Sequence, residues 1–235
     1  MRKQDLIGRL REIKAMGFVP SMRRGNTGIG YTFEKLLGVS ENNIPIPDLG
    51  GRLEIKTTRL NSKSMITLFT FNRGVWRINL KDLVSTYGYK DKSGRVGLKL
   101  TLFCDSISQN MSLGMRLNES LHSLEIIDIN TKEILGSYSL YVVVGKFMQK
   151  LGRVLYVLAE VKTENAVEKF YYNEFYLCQE PDYEKFVKAI KEKHIAVDLR
   201  MHLRPNGSVR NHGTGIRVKP EHFTKLYKKV ERLEV

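Results

Sequence analysis

Apolar residues near the start of the chain recur every three to four positions, at residues 6, 7, 10, 13 and 16. This spacing puts them on one side of a helix, so the pattern predicts a helix over residues 4–16. The same periodicity over shorter stretches predicts further helices at residues 31–37, 182–193 and 220–233. Pro220 suits the first turn of the last of these helices, because proline has no backbone N–H to leave unpaired there.

Alternating or short apolar runs are typical of strands and dominate the middle of the chain. They predict strands over residues 52–58, 65–71, 97–103, 123–130, 134–144, 154–161, 170–177, 195–202 and 215–218. Helices around a mostly β centre favour an α/β or α+β fold, with a mixed central sheet flanked by helices. We therefore expect a single folded unit with that architecture.

Charge narrows the choice of partner. The 235 residues include 39 Lys and Arg against 25 Asp and Glu, a formal net charge of +14, and residues 55–80 and 199–220 contain no acid at all. Stretches whose charged residues are all basic favour binding to a polyanion. Nucleic acid is the first candidate, and an anionic membrane is the second. No predicted helix joins a basic face to a wide apolar face, which argues against a membrane surface. Cys104 and Cys178 form no C-x-x-C pair, so we expect reduced thiols in a cytoplasmic protein.

One segment carries the groups that phosphodiester hydrolysis needs. Glu54 and Lys56 stand two apart on a predicted strand, so both side chains leave the same face. Asp48 precedes a Gly-Gly turn that can bring its carboxylate beside Glu54. Carboxylate oxygens are ligands that Mg²⁺ prefers, so we predict a metal site of Asp48, Glu54 and the backbone carbonyl of Ile55. Lys56 would orient or deprotonate the attacking water and stabilise charge in the transition state.

The residues around Glu54 and Lys56 distinguish this motif from a chance E-x-K. A second E-x-K, Glu160 to Lys162, lacks an upstream aspartate and is interpreted as a structural pair. Glu34 lies on the short predicted helix and could point toward the same metal, although a solvated position beside Lys35 is the alternative.

These residues resemble a known family. Residues 25–30 (GNTGIG), Phe33-Glu34, Pro47-Asp48 and Glu54-Ile55-Lys56-Thr57 are similar to the MvaI/BcnI restriction endonucleases, in the MutH-like branch of the PD-(D/E)xK nucleases. The resemblance continues through residues 68–70, 159–160, 197–200, 212–214 and 217 and is weak over about 100–150. It implies a monomer that acts on a short pseudosymmetric CC-x-GG-like site, with Glu34, Asp48, Glu54 and Lys56 in the active site. It also implies base reading by Arg200, His212 and Arg217.

The basic C-terminal stretch supports a DNA-reading role from its residue types. Arg210, Asn211 and His212 are predicted on a glycine-bordered loop, where arginine can pair with guanine and asparagine with adenine. At Arg210-Asn211 the chain departs from its MvaI-like relatives, which carry His-Asp, so the central base pair is left open. Arg204 and Lys219 are assigned to phosphate. The next candidates for base reading are Arg23, Arg24 and Asn26 of the glycine-rich loop.

Together these features predict a Mg²⁺-dependent type II restriction endonuclease that cuts double-stranded DNA, with a companion DNA methyltransferase in the host. Ca²⁺ could occupy the metal site without supporting cleavage. We expect two lobes around a DNA cleft: a catalytic lobe of about 1–105 and 150–180, and a recognition lobe that includes about 182–235. The alternatives are a MutH-like repair nickase and a non-catalytic DNA-binding protein. Clustered acids would repel DNA in a mere binder, which favours the enzyme.

Overall fold

A computed structural model of the chain describes residues 3–39, 49–72, 75–108 and 112–235. The helices among these residues are Lys3–Ala15 (α1), Gly28–Leu37 (α2), Leu80–Tyr87 (α3), Leu140–Lys150 (α4) and Tyr183–Lys191 (α5). The strands are Val19–Pro20 (β1), Glu54–Arg59 (β2), Ile66–Phe71 (β3), Tyr89–Lys90 (β4), Val96–Phe103 (β5), Ser106–Ser108 (β6), Leu113–Asn118 (β7), Ser123–Asp128 (β8), Ile134–Ser139 (β9), Arg153–Glu164 (β10), Val167–Pro181 (β11), Ile195–Leu203 (β12), Val209–Val218 (β13) and Tyr227–Arg232 (β14). These elements form two compact units, each made of chain segments that are distant in sequence.

The first unit is built from segments Met1–Ile66, Met148–Asp182 and Phe223–Val235. Its sheet runs β1-β11-β10-β2, and β14 also pairs with β11. Strands β2 and β10 are parallel, whereas β10 is antiparallel to β11, so the sheet is mixed. The parallel register places Glu54 opposite Val154 and Lys56 opposite Tyr156.

A hydrophobic core supports this sheet. Helix α1 buries Leu6, Leu10 and Ile13, which have the spacing of one helix face. They pack in one cluster with Phe33 of α2 and with Ile55 and other apolar residues of β2, β10 and β11. Because Ile55 points into this core, its neighbours in β2 point to the opposite face.

The second unit is built from segments Thr67–Phe147 and Tyr183–His222. It contains one sheet of order β3-β13-β12-β5-β4 and another of order β6-β7-β8-β9. Strand β12 is antiparallel to both β5 and β13, with Asp198 opposite Thr101 on one side and Gly215 on the other. Because β12 pairs with a strand on each side, its polar residues lie in the interior of the sheet and not at an edge.

Most predicted elements are present, and the fold class is confirmed: helices flank sheets, and one sheet is mixed. Among the predicted helices and strands, two assignments are wrong. The predicted strand 134–144 ends at Ser139, and helix α4 follows, because Leu140, Val143, Val144 and Phe147 are buried at helical spacing. The predicted helix 220–233 is two short 3₁₀ turns followed by β14, because pairing with β11 prevails over helical periodicity. Helix α3 has no counterpart in the prediction.

Among the described residues, no helix is both long and apolar enough to cross a membrane.

Candidate functional site

Glu54 and Lys56 lie side by side on β2, as their spacing predicts. The Lys56 Nζ donates a hydrogen bond of 2.7 Å to Glu54 Oε1. The Glu54 side chain is only 2% exposed, whereas that of Lys56 is 19% exposed. The carboxylate is therefore inside the protein, and the ammonium lies between it and solvent.

A second lysine, which the sequence analysis did not single out, reaches the same oxygen. The Nζ of Lys150, the last residue of α4, lies 3.5 Å from Glu54 Oε1. Its side chain is 26% exposed. Two positive charges thus share one oxygen of a buried carboxylate.

The other Glu54 oxygen is a candidate cation ligand. Glu54 Oε2 is buried and has no hydrogen-bond partner among the residues that the structure describes. A buried carboxylate oxygen without a donor is costly, and a bound cation would offset that cost. Oxygen of this kind is the ligand type that Mg²⁺ prefers, so Glu54 fits the predicted metal site.

The rest of the predicted metal site is not defined by this geometry. Asp48 lies outside the described residues. Within the described ranges, no three His, Cys, Asp or Glu side chains come together as a metal cluster. Ile55 is held in the parallel pairing with Leu155, and its carbonyl stays a predicted ligand.

A neutral tyrosine lies within electrostatic reach of Glu54. Burial raises the pKa of Tyr227 well above its ordinary value, and the negative charge of Glu54 raises it further. The same burial raises the pKa of the Cys178 thiol to about 12. Both groups are therefore protonated at neutral pH, and neither adds negative charge beside the carboxylate.

Glu34 lies on α2, which contacts β2. Its Oε1 lies 3.8 Å from the position that a Cβ on Gly30 would take, so the side chain runs back along its own helix. The helix begins at Gly28, where a Cβ would lie 2.4 Å from both the Arg23 carbonyl and Ser21 Oγ. Glycine is thus required for the close approach of the basic loop to α2, while the role of Glu34 stays a prediction.

The basic loop before α2 presents its predicted residues differently. The Arg23 guanidinium stacks on the Tyr31 ring at 3.7 Å, and the Asn26 carbonyl accepts a hydrogen bond of 3.4 Å from Arg59. Arg24 is exposed. Arg23 and Arg24 line a cavity of about 610 Å³, with Glu168 on its wall. The hydrogen bond from Arg59 of β2 therefore holds the loop against the sheet, and Arg24 stays exposed to solvent.

In the second unit, the strands β12 and β13 bring several predicted base-reading residues to one cavity. It has a volume of about 280 Å³ and contains Arg200 and His212. Its other lining residues are Thr67, Thr70, Lys99, Asp198, Met201, His202, Gly213 and Gly215. Arg217 joins this group through Asp198, which lies 3.5 Å from its guanidinium.

Asp198, a part of the sequence resemblance without an assigned role, organises this surface. Its Oδ2 lies 2.5 Å from Arg200 Nε, and its Oδ1 accepts a hydrogen bond of 2.7 Å from Thr101. A Cβ on the facing Gly215 would lie 3.5 Å from the Asp198 Cβ. The carboxylate therefore holds two arginines side by side, one exposed and one half-buried.

Residues 210–212 are in strand β13, so the predicted loop is wrong. Arg210 faces His202 and Asn211 faces Met201 in an antiparallel pair. The glycine that suggested a loop, Gly213, has φ +85 and lies within the irregularity in the pairing. Asn211 Oδ1 accepts a 2.7 Å hydrogen bond from the Gly213 N–H, which leaves its amide NH₂ as the group that can face outward.

The two predicted phosphate contacts lie at the ends of this hairpin. Arg204 is exposed at the turn between β12 and β13. Lys219 follows the far end of β13, where its Nζ lies 5.4 Å from the centre of the Phe103 ring. A strand rises roughly 3.3 Å per residue, so Lys219 is more than ~10 Å along β13 from Gly215 of the cavity. The structure thus separates Lys219 from the cavity.

Two residues of the cavity were missed because strand pairing, and not a local sequence pattern, brings them beside Arg200 and His212. His202 lies 5.5 Å from His212, ring centre to ring centre, and Lys99 faces Arg200 across β5 and β12. Burial and the charge of Arg210, followed by those of Arg200 and Lys99, lower the pKa of His212. Burial and Arg95, then His212, Arg210 and Lys99, lower that of His202. Both imidazoles are therefore neutral at neutral pH and can donate or accept.

Comparison with known proteins gives the same result from sequence and from structure. The family model described as the MvaI/BcnI restriction endonuclease family matches residues 7–227. A structure described as a restriction endonuclease MvaI–cognate DNA substrate complex is similar, with TM-score 0.80, 26% identity and coverage of 99% of both chains. Restriction endonuclease MvaI in the absence of DNA has TM-score 0.57 and 25% identity, covering 100% of this chain and 99% of that one. No curated protein sequence matches the chain.

Proposed function

The chain belongs to the MvaI/BcnI restriction endonuclease family and has its PD-(D/E)xK-type fold, and we propose that it is a Mg²⁺-dependent type II restriction endonuclease. Its substrate is double-stranded DNA with a short pseudosymmetric CC-x-GG-like site. It acts as a cytoplasmic monomer, beside a companion methyltransferase that protects host DNA. Its first unit carries the hydrolysis, and its second unit reads bases.

The observation that carries the proposal is the state of Glu54. It is a buried carboxylate with one oxygen held by Lys56 and the other without a hydrogen-bond partner among the described residues. A protein that only binds DNA gains nothing from a buried negative charge in this arrangement. A hydrolase gains a cation ligand and a positioned lysine.

The residues divide the chemistry between them. Mg²⁺, held by Asp48, Glu54 and the Ile55 carbonyl, would polarise the phosphoryl oxygen and lower the pKa of a bound water. Lys56 donates to the phosphate or to the attacking water and stabilises the charge that develops on phosphorus oxygens. Glu34, on the helix beside β2, is proposed to complete the carboxylate set.

Base reading is proposed for the surface that Asp198 organises. Arg200 and Arg217 each present a guanidinium, which suits paired hydrogen bonds to guanine in the major groove. His212 is neutral and can donate or accept, and Arg210 and Asn211 lie beside it on β13 for the central base pair. Arg204, Lys219 and the basic loop with Arg23, Arg24 and Asn26 bind the backbone or the flanking bases.

Plasmid digestion tests the proposal. The purified protein is incubated with DNA of known sequence in Mg²⁺, in Ca²⁺ and in EDTA, and the ends are sequenced. We expect cuts at one short sequence in Mg²⁺ alone. Random ends, or no cleavage at any divalent cation concentration, would contradict the proposal. Nicks that require added mismatch-repair proteins would instead favour the repair nickase.

A matched pair of variants locates the reaction. Glu54→Gln should cut on the order of a thousandfold more slowly, because a metal ligand is lost. Glu160→Gln, in the second E-x-K motif, should cut normally, since Glu160 Oε1 accepts a hydrogen bond from Asn173 and lies elsewhere on β10. Equal loss in both variants would show that the effect is not specific to the Glu54 site.

A further inference from the structure

Lys150 is placed at the Glu54 site by the chain itself and not by chance rotation of a long side chain. It ends α4, and Leu151, fully buried, follows it. Gly152 lies where a Cβ would be 3.1 Å from the Met148 carbonyl, so the turn into β10 is tight. Two residues later Val154 faces Glu54 in the parallel register. A short, fixed connection therefore presents Lys150 to the carboxylate.

Two positive charges face one negative charge at this site, an excess that one lysine alone would not produce. Lys56 Nζ and Lys150 Nζ lie 2.7 and 3.5 Å from the same Glu54 oxygen. The two ammonium groups repel each other, so either one leaves more easily than it would from an isolated pair. When one leaves, the buried carboxylate still has a countercharge, and the cost of an unpaired buried charge is avoided.

We propose that Lys150 is a positioning residue that holds Glu54 Oε1 while Lys56 turns its ammonium to the DNA phosphate. The inference rests on the proposed function, because that reaction defines what Lys56 must reach. Lys150 contributes a charge at a fixed place, whereas Lys56 contributes a movable donor. A guanidinium should therefore replace the ammonium of Lys150, although it should not replace that of Lys56.

Single-turnover cleavage separates this role from phosphate binding. The protein, in excess over a duplex with its site, is compared with Lys150→Met, which keeps the apolar stem, and with Lys150→Arg. We expect Lys150→Met to lower the maximal rate by about tenfold with an unchanged half-saturating concentration. Lys150→Arg should recover at least about a third of the wild-type rate. Lys162→Met is the matched control, because Lys162 is an exposed lysine that pairs with Glu164, and it should be normal.

Other results of this experiment would overturn the proposal. A raised half-saturating concentration with a normal maximal rate would make Lys150 a phosphate anchor. A normal rate in Lys150→Met would remove Lys150 from the site. Failure of Lys150→Arg in a protein with normal thermal unfolding would show that Lys150 does more than supply a fixed charge, and would overturn the positioning role.

A second measurement does not depend on cleavage. Melting temperatures of the wild type, Lys150→Met, Glu54→Gln and the double variant form a cycle. We expect Lys150→Met to lower the melting temperature by about 2–4 °C when Glu54 is present. It should have no such effect in Glu54→Gln, where there is no charge to hold. Equal shifts in both backgrounds would overturn the contact, whereas a wild type that does not cut would overturn the proposed function and leave this cycle to decide on Lys150.

Discussion

The Nε of Arg200 lies 2.5 Å from the carboxylate of Asp198, which is itself buried and also contacts Arg217. One acid thus sets the distance between two guanidinium groups on the same sheet face. Arg200 is half-exposed, with a side chain 51% accessible, whereas that of Arg217 is 19% accessible. A preset pair of this kind limits the rotamer freedom that binding would otherwise remove.

Replacing Arg217 and replacing Lys219 should change DNA binding in different ways. Arg217→Ala should weaken binding to the cognate duplex by about 1–3 kcal/mol and relax preference at one position. Lys219→Ala should weaken cognate and scrambled duplexes alike and reduce the salt slope by about one. Binding across a salt series, with Ca²⁺ in place of Mg²⁺, measures both. If Arg217→Ala lowers both affinities by one factor, Arg217 is a phosphate anchor, and base reading must be sought in the loop with Arg23, Arg24 and Asn26.

Asp48→Ala should bind DNA as well as the wild type or better, because a charge that repels phosphate is gone. It should cut on the order of a thousandfold more slowly, since metal stabilisation of charge is worth several kcal/mol. Cleavage rates and affinities of the purified variant check this. Asp82→Ala, on the first turn of α3, is the control and should cut normally. Retained cleavage in Asp48→Ala would remove Asp48 from the metal site.

Lys56→Arg should be nearly as inactive as Lys56→Ala. The guanidinium keeps the charge but changes the geometry and cannot be deprotonated. Single-turnover rates in Mg²⁺ make the comparison, with Lys162→Arg of the second E-x-K motif as a control that should cut normally. Near-normal cutting by Lys56→Arg would mean that Lys56 supplies only bulk charge.

Arg210→Ala should raise the pKa of His212, because burial lowers that pKa most and the charge of Arg210 has the next largest effect. The pKa in the folded protein lies below that of the unfolded chain, so protonation favours unfolding. The contribution of His212 to stability is therefore complete at neutral pH and falls as the pH drops below about 6.5. NMR titration of the imidazoles measures the shift, and Arg204→Ala serves as the control. An unchanged pKa in Arg210→Ala would contradict the assigned cause.

Gly213→Ala should destabilise the second unit more than Gly207→Ala. Both glycines have positive φ, +85 and +77, so each alanine suffers backbone strain of about 1–2 kcal/mol. At Gly213 a Cβ would also lie 2.4 Å from Thr70 Cγ2, whereas Gly207 has open space. Overpacking should add about 1–3 kcal/mol at Gly213 alone. Urea unfolding of both variants tests this, and equal losses would show that the steric contact relaxes.

The sequence predicts elements well where one face is buried against a single partner. Helix α1 and strands β2, β3, β5 and β12 are found within two residues of their predicted bounds. The failures occur where tertiary pairing decides between two states. In α4, three consecutive valines suggest a strand, yet its Leu140–Phe147 stripe is buried as a helix face.

The candidate site shows the same contrast between residues that local patterns predict and residues that only tertiary structure brings together. Glu54 and Lys56 are predictable because strand periodicity alone places them together. Lys150 is not, because its position depends on α4, whose first residues, 140–144, the sequence pattern assigns to a strand. The grouping of His202 and Lys99 with Arg200 depends on strand order, and no local pattern encodes that order.

The parallel pairing of β2 with β10 also determines when, during translation, this sheet can form. The partner of Glu54 in the sheet is 100 positions later in the chain. At about 5–20 residues per second, a ribosome needs several seconds to make that stretch. A nascent chain therefore keeps Glu54 apart from Lys150, which it contacts in the folded protein, until the ribosome has passed residue 150. The pairing of these two strands cannot begin until Val154 has been made, which is about two thirds of the way along the 235 residues.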